Sequence, residues 1–389
     1  MFSNETPVAL IGAELLMRKY WKKTGKSILF GLMLLAVLAL NNLAVAQSQH
    51  VFLDSSYVVN YRDLFSVKLY GIVRSNTWNL KFEDQLGKET ELKYSTNSNV
   101  NFGAGFSYRH TSVSYAFNLP IINNDNDRYG KTRGIDLQAS TYAKRYFFDV
   151  YFSSLRGMYM ENPKEGVFSE LQGQPEIYKF PNMRSRFVGG DFVYVFNPKK
   201  YSLRSSFLGD ERQMKSTGSF LLGVSASYSF LDNGDESILP PVVRDTLGDQ
   251  LDGQRLKMIN AGISVGYGYN LVIGKRFFFS LALLPGINYR KTVFTPMDDD
   301  VPLEKTNSLG IYALMRAGMG YNGKHLYMGV TAMSRRQGAP GADGLYDTQV
   351  SNQSSTINFF VGRRFRWNWL DEKADKLAKY KIPRLFLKK

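Results

Sequence analysis

The chain has 389 residues, a formal net charge of +15 and no cysteine. The missing thiols exclude both a disulfide scaffold and a lipoprotein anchored through an acylated cysteine, and 24 Tyr with 27 Phe is a high aromatic content for a soluble enzyme. A basic balance fits nucleic acid in principle, but the export signal that opens the chain argues against it and favours anionic lipid and lipopolysaccharide headgroups as counterions.

Residues 1–46 read as a targeting segment. Arg18, Lys19, Lys22, Lys23 and Lys26 form a positive region, Ile28 to Leu40 is apolar apart from Gly31, and Ala44-Val45-Ala46 matches an A-x-A cleavage pattern. Cleavage between Ala46 and Gln47 leaves a mature chain of 343 residues and a charge of +12, because five basic and two acidic side chains leave with the signal. Met17 is an alternative translation start, since the residues before it fit no part of a signal. The apolar run would rise only about 20 Å as a helix, short of a hydrocarbon core of roughly 30 Å.

A leader, 47–63, carries no strong period. Beyond it the chain breaks into stretches of apolar-polar alternation bounded by turn chemistry. The candidate strands are 64–73, 77–84, 91–109, 111–119, 134–144, 146–154, 184–196, 216–231, 256–271, 276–290, 307–322, 325–335 and 353–367. In the stretch 218–231 one register reads Gly218, Phe220, Leu222, Val224, Ala226, Tyr228 and Phe230, and the other is mostly Ser and Gly. The same contrast recurs at 259–271 and 308–322. An oily face opposite a small, polar one suits a closed barrel in a membrane, with lipid outside and polar side chains within.

A bacterial single-chain barrel favours an even strand number. Either the first two segments form one bent strand, giving about 12, or 91–109 is two strands, giving 14; the reading here is 12, within a range of 10 to 14. Short connections at Arg109-His110, Lys144-Arg145, Ile273-Gly274-Lys275 and Asn322-Gly323 alternate with long ones, as in an up-and-down barrel. Asn-Gly is a favoured pair for a tight hairpin. Segment 197–215 falls on the short-turn side and yet is long, which marks it as a plug or a docking element. After Trp367 a basic amphipathic tail, 368–389, follows where many outer-membrane barrels end on an aromatic residue. The expected organisation is therefore signal peptide 1–46, leader 47–63, all-β transmembrane barrel 64–367 and tail 368–389.

Three stretches carry a family resemblance: Asn101 to Tyr108; Asn118 to Asn124 with Asp127 to Thr132; and Glu211-Arg212-Gln213 with Lys215 to Phe220. The chain resembles, over roughly 54–367, an uncharacterised family of exported gram-negative proteins known only as a domain of unknown function. The resemblance implies an outer-membrane-type barrel and brings no activity or ligand.

Catalytic chemistry has few candidates. Barrel enzymes that act on lipid acyl chains need a Ser, a His and a carboxylate in reach of one another. His50 lies in the leader, His110 in a tight turn with Ser112 two residues on, and His325 in another turn. Residues i and i+2 of a strand are nearly 7 Å apart, so polar turn residues are the simpler account. Asn123, Asp125 and Asp127 have the first three spacings of a calcium loop, but Arg128 replaces its glycine and Gly134 its final glutamate. No metal or other cofactor is indicated.

Arginine on a lipid face at mid-depth costs about 2–4 kcal/mol. Arg109, Arg184, Arg186, Arg316 and Arg364 are therefore expected in the lumen or at the rims, with Arg316 in register with Gly310 and Gly318. In a closed lumen they would pair with interior carboxylates such as Asp136 or Asp191; in an open one they would favour anions. The functional expectation is an outer-membrane barrel without an evident catalytic site, serving as a narrow transport or binding channel or as a structural envelope component. Its expected partners are outer-membrane lipids, lipopolysaccharide and the outer-membrane assembly machinery. A lipid-modifying barrel enzyme and a soluble exported β-sandwich are the alternatives.

Overall fold

Long strands of alternating character leave each side chain one of two environments, and the chain resolves this by closing a sheet on itself. The computed structural model describes residues 53–83, 89–97, 100–108, 111–118, 125–161, 177–240, 252–298, 303–338, 349–369 and 372. The chain divides into two units, Met1–His50 and Val51–Lys389, and all described residues lie in the second. The segment 1–46 expected to be a signal, with its Ala46–Gln47 junction, His50 and nearly all of the 368–389 tail lie outside the described residues. Among those residues no helix is long and apolar enough to cross a membrane, a statement that does not bear on strands.

The strands are β1 (Val58–Asn60), β2 (Phe65–Glu83), β3 (Glu89–Ser95), β4 (Val100–Tyr108), β5 (Thr111–Asn118), β6 (Arg133–Tyr142), β7 (Tyr146–Met160), β8 (Lys179–Val195), β9 (Glu211–Gln213), β10 (Thr217–Asp232), β11 (Gly253–Ile273), β12 (Phe277–Pro296), β13 (Glu304–Asn322), β14 (Leu326–Gly338) and β15 (Gln349–Phe365). Two single helical turns, α1 (Asn126–Tyr129) and α2 (Arg204–Phe207), are also present among the described residues.

Thirteen strands share one antiparallel sheet, and β15 pairs back onto β2 to close it. The ring runs β2-β3-β7-β8-β10-β11-β12-β13-β14-β15, so ten strands close the barrel instead of the twelve expected. Both resolutions of the odd count apply at once. Residues 65–83 form one strand, and 91–109 contains two, β3 and β4. β2 is continuous because β15 pairs with it from Phe65 to Lys81 without a break, whereas its other edge pairs β4 up to Val73 and β3 from Thr77. Ring closure also overturns the β-sandwich alternative, which would need two packed sheets.

β4 and β5 extend from β2, and β6 extends from β7. No ladder joins β5 to β6 among the described residues. Near this seam side chains take over from the ladder: Arg74 donates to the Asp136 carbonyl at 3.0 Å, and Asn97 Nδ2 donates to the Gly130 carbonyl at 2.9 Å. Backbone groups without water need such partners.

The outward register is apolar. Phe220 is 71% exposed and Leu309 70%, and Val265, Ile263, Leu283 and Ile287 line the same outer surface. The hairpin after β11 places Gly274 and Lys275 at φ of 58° and 61°, the positive-φ pair of a type I′ turn. Asn322-Gly323 does not form a two-residue turn. Asn322 ends β13 and pairs with Tyr327, the three residues 323–325 connect it to β14, and its side chain turns inward.

Candidate functional site

The inward register builds a filled lumen in three layers. At the loop end Trp78, Leu92, Tyr94, Met160, Met183, Leu256 and Met258 form an apolar cluster, and Ile238 and Leu239 from the segment after β10 join it. Trp78 Nε1 donates to Ser185 Oγ at 2.9 Å and Tyr94 Oη donates to the Ile238 carbonyl at 2.8 Å. Both aromatic polar handles are thereby satisfied inside an apolar layer.

The middle layer is ionic. Arg316 on β13 pairs with Asp149 on β7 and stacks over the Phe147 ring at 4.4 Å. Arg335 on β14 pairs with Asp191 on β8, its Nε donating at 2.7 Å, and lies 3.8 Å over Tyr151. Tyr312 Oη donates to the other Asp191 oxygen at 2.7 Å. Arg290 donates through Nε to Asn260 Oδ1 at 2.9 Å, and Asn288 donates to the same oxygen. The charged members of this layer have 0–2% exposure. Charges buried this deeply persist only when paired and hydrogen-bonded, because the desolvation of each costs several kcal/mol.

The turn-end layer is the long segment 197–215, which folds into the barrel as a plug. Its strand β9 pairs antiparallel with β1 of the leader, so both segments the sequence left without a place form one unit. Asn270 donates to the Ser202 carbonyl at 2.9 Å, and Asn322 donates to the Ser205 and Glu211 carbonyls at 2.8 and 2.9 Å. Arg364 donates to the Gly209 and Gly323 carbonyls and stacks over Tyr327 at 4.2 Å. Inward glycines make the room: a Cβ on Gly268 would stand 2.2 Å from Tyr201 Oη. Within the plug Arg62 and Arg204 face Asp210 and Glu211, and Ser202 Oγ donates to Glu211 Oε2 at 2.6 Å. Burial works against the Arg204 charge, but Asp210 and Glu211 more than offset it and hold the guanidinium above its ordinary pKa.

The remaining candidate residues fall as follows. Arg184 and Arg186 face outward near the loop end, not into the lumen. Asp136 is half-buried at the seam, with Arg74 Nε 3.9 Å from Oδ2. His325 is exposed in the β13–β14 turn, its Nδ1 3.3 Å from the Arg364 carbonyl oxygen, and no serine or carboxylate bonds to it among the described residues. Arg109, His110 and Asn123 lie outside the described residues, as does the Ser112 side chain. Asp125 accepts from Asn97 Nδ2 at 3.0 Å, and Asp127 lies exposed in α1. No group of three His, Cys, Asp or Glu side chains able to hold a metal occurs among the described residues.

Sequence reasoning passed over Asp149, Arg335 and Arg290. A lone carboxylate between Phe147 and Tyr151 in a strand register is a signal, because such a group must find a cation. Arg335 shares its register with Gly329 and Thr331, the same small-residue signature that drew attention to Arg316.

A family model described as a domain of unknown function, DUF4421, matches residues 53–365. The chain belongs to this family. The span nearly coincides with the barrel and its plug, so the DUF4421 domain is the plugged barrel itself. No curated protein matches the sequence. Among solved structures, the outer membrane protease OmpT of Escherichia coli is similar at 8% identity over 79% of this chain and 98% of that one, with a TM-score of 0.36. The toluene transporter TodX of P. putida is similar at 9% identity over 78% and 90%, TM-score 0.20. The outer membrane protein OprG of Pseudomonas aeruginosa is similar at 10% identity over 79% and 99%, TM-score 0.22. At these scores the likenesses fix neither activity nor ligand for the present family member.

Proposed function

We propose that this DUF4421 protein is a closed outer-membrane barrel that serves the gram-negative envelope as a scaffold or binding protein and not as an open pore. Export through the 1–46 signal, cleavage after Ala46 and insertion by the outer-membrane assembly machinery belong to the same proposal. The observation that carries it is the filled lumen: an apolar cluster, an ion-paired layer and a folded plug follow one another along the axis. A barrel of this size can be filled by its own side chains, and here a chain segment is added to them. Of the two roles the sequence left open, this favours the structural or binding component over the channel.

The test is solute flux. The full chain, folded from detergent into vesicles loaded with an impermeant sugar, is expected to leave swelling rates at the protein-free level. Swelling that scales with the amount of protein overturns the closed reading.

A further inference from the structure

The outward register changes character abruptly just beyond the apolar belt at the loop end. There β7, β8, β11, β12 and β13, on either side of β10, carry Arg156, Arg184, Arg186, Arg255, Lys257, Lys291 and Lys305 on the outer wall. Among the described outward positions of this band the carboxylate is Asp232 of β10, which stands opposite Arg184 and is engaged by Arg255 at 3.2 Å.

Register brings these cations together. Arg156 stands directly opposite Arg184, a like-charge pair that works against strand pairing. Lys291 is opposite Ile259 and Lys257 opposite Val293, so these two lysines are diagonal neighbours; Lys305 faces Val293 from the other side. Arg186 and Arg255 lie over the Phe230 ring at 5.4 and 5.9 Å. Directly toward the belt come Ile259, Tyr289 and Leu309, all more than half exposed.

We propose that this band is a binding site for the phosphate groups of an anionic lipid in the loop-side leaflet. Charge complementarity calls for an anion, and position selects its source. The cations are on the barrel wall at the edge of the apolar belt, where a lipid headgroup stands and where the cost of a wall cation falls to about 0–1 kcal/mol. A soluble polyanion would meet the loops first. The Phe230 ring under both Arg186 and Arg255 holds those guanidinium groups against the wall, facing such a headgroup. Each cation near an anionic surface contributes about 1 kcal/mol, or about fivefold in affinity.

The experiment uses the full chain in detergent, with a bis-phosphorylated glucosamine lipid, its dephosphorylated form and inorganic phosphate as probes. Retained lipid is read by native mass spectrometry and affinity by titration. The wild type should bind the phosphorylated lipid, bind the dephosphorylated form far more weakly, and be insensitive to millimolar inorganic phosphate. The variant Arg184→Gln/Lys257→Gln/Lys291→Gln/Lys305→Gln should lose several hundredfold in affinity, about fivefold for each cation removed. The turn-end control Lys275→Gln/Arg276→Gln/Lys324→Gln should bind as the wild type does. Heat-modifiable migration checks folding, and Lys257→Arg/Lys291→Arg/Lys305→Arg should retain binding. Unchanged affinity in the Gln variant, equal losses in the control, or displacement by inorganic phosphate would overturn the proposal. None of these readouts depends on whether the lumen conducts.

Discussion

Arg316 on β13 and Asp149 on β7 lie 167 positions apart in the chain and form a fully buried ion pair across the barrel interior. Tyr142, Phe147 and Phe207 surround the guanidinium with their rings. The pair joins opposite walls of the ring and, through Phe207, touches the plug. Removing one partner strands a charge where water cannot reach it. Arg316→Met should cost about 3–5 kcal/mol of unfolding stability, whereas Arg316→Met with Asp149→Leu should recover most of that loss. Urea unfolding of the detergent-folded chain, read across the two single variants and the double one, measures the coupling.

The plug can be fixed covalently. Ser206 Cβ lies 3.6 Å from the position a Cβ on Gly318 would occupy, within the range that a disulfide requires. The chain contains no cysteine, so Ser206→Cys/Gly318→Cys creates an unambiguous pair. It should oxidise spontaneously and shift the migration of the unreduced, denatured protein. Two free thiols titrating in the folded state would mean that the plug does not rest against β13.

Gly268 tests the same contact sterically. A methyl group there would stand against Tyr201 Oη and force the plug to shift, at a cost of about 1–3 kcal/mol. Gly268→Ala should therefore lower the midpoint of thermal unfolding, and adding Tyr201→Ala should relieve the clash. A Gly268→Ala protein as stable as the wild type would show that the plug stands away from the wall.

Lipid contact is tested on the outer wall. Val265 is 63% exposed in the middle of the apolar belt. Val265→Arg should cost about 2–4 kcal/mol for folding into a bilayer. The same substitution in a water-exposed sheet would change little, so a neutral result in vesicles would remove the belt from the membrane.

Much of this architecture could be read from the alternation. The two faces of β10, β11 and β13 follow the period-2 registers, because each outward residue meets one environment and each inward residue another. What escaped reading involved partners far away in the chain. Ser75 and Asn76 resemble a turn, yet β2 runs through them because β15 supports its other edge. Segment 197–215 looks solvated, with Lys199, Lys200, Arg204, Arg212 and Lys215 in 19 residues. Its Arg204 is instead largely withdrawn from water and neutralised by Asp210 and Glu211. Arg316 stood out because glycines share its register; Asp149 did not, since nothing local announces an ion pair closed across the lumen.

A lumen occupied from end to end passes no ions, and single-channel recording reads this without any label or variant. The full chain, inserted into a planar bilayer and verified there by its heat-modifiable migration, should carry no current above the bare membrane across the usual voltage range. Discrete, reproducible conductance steps from the wild-type protein would contradict the account.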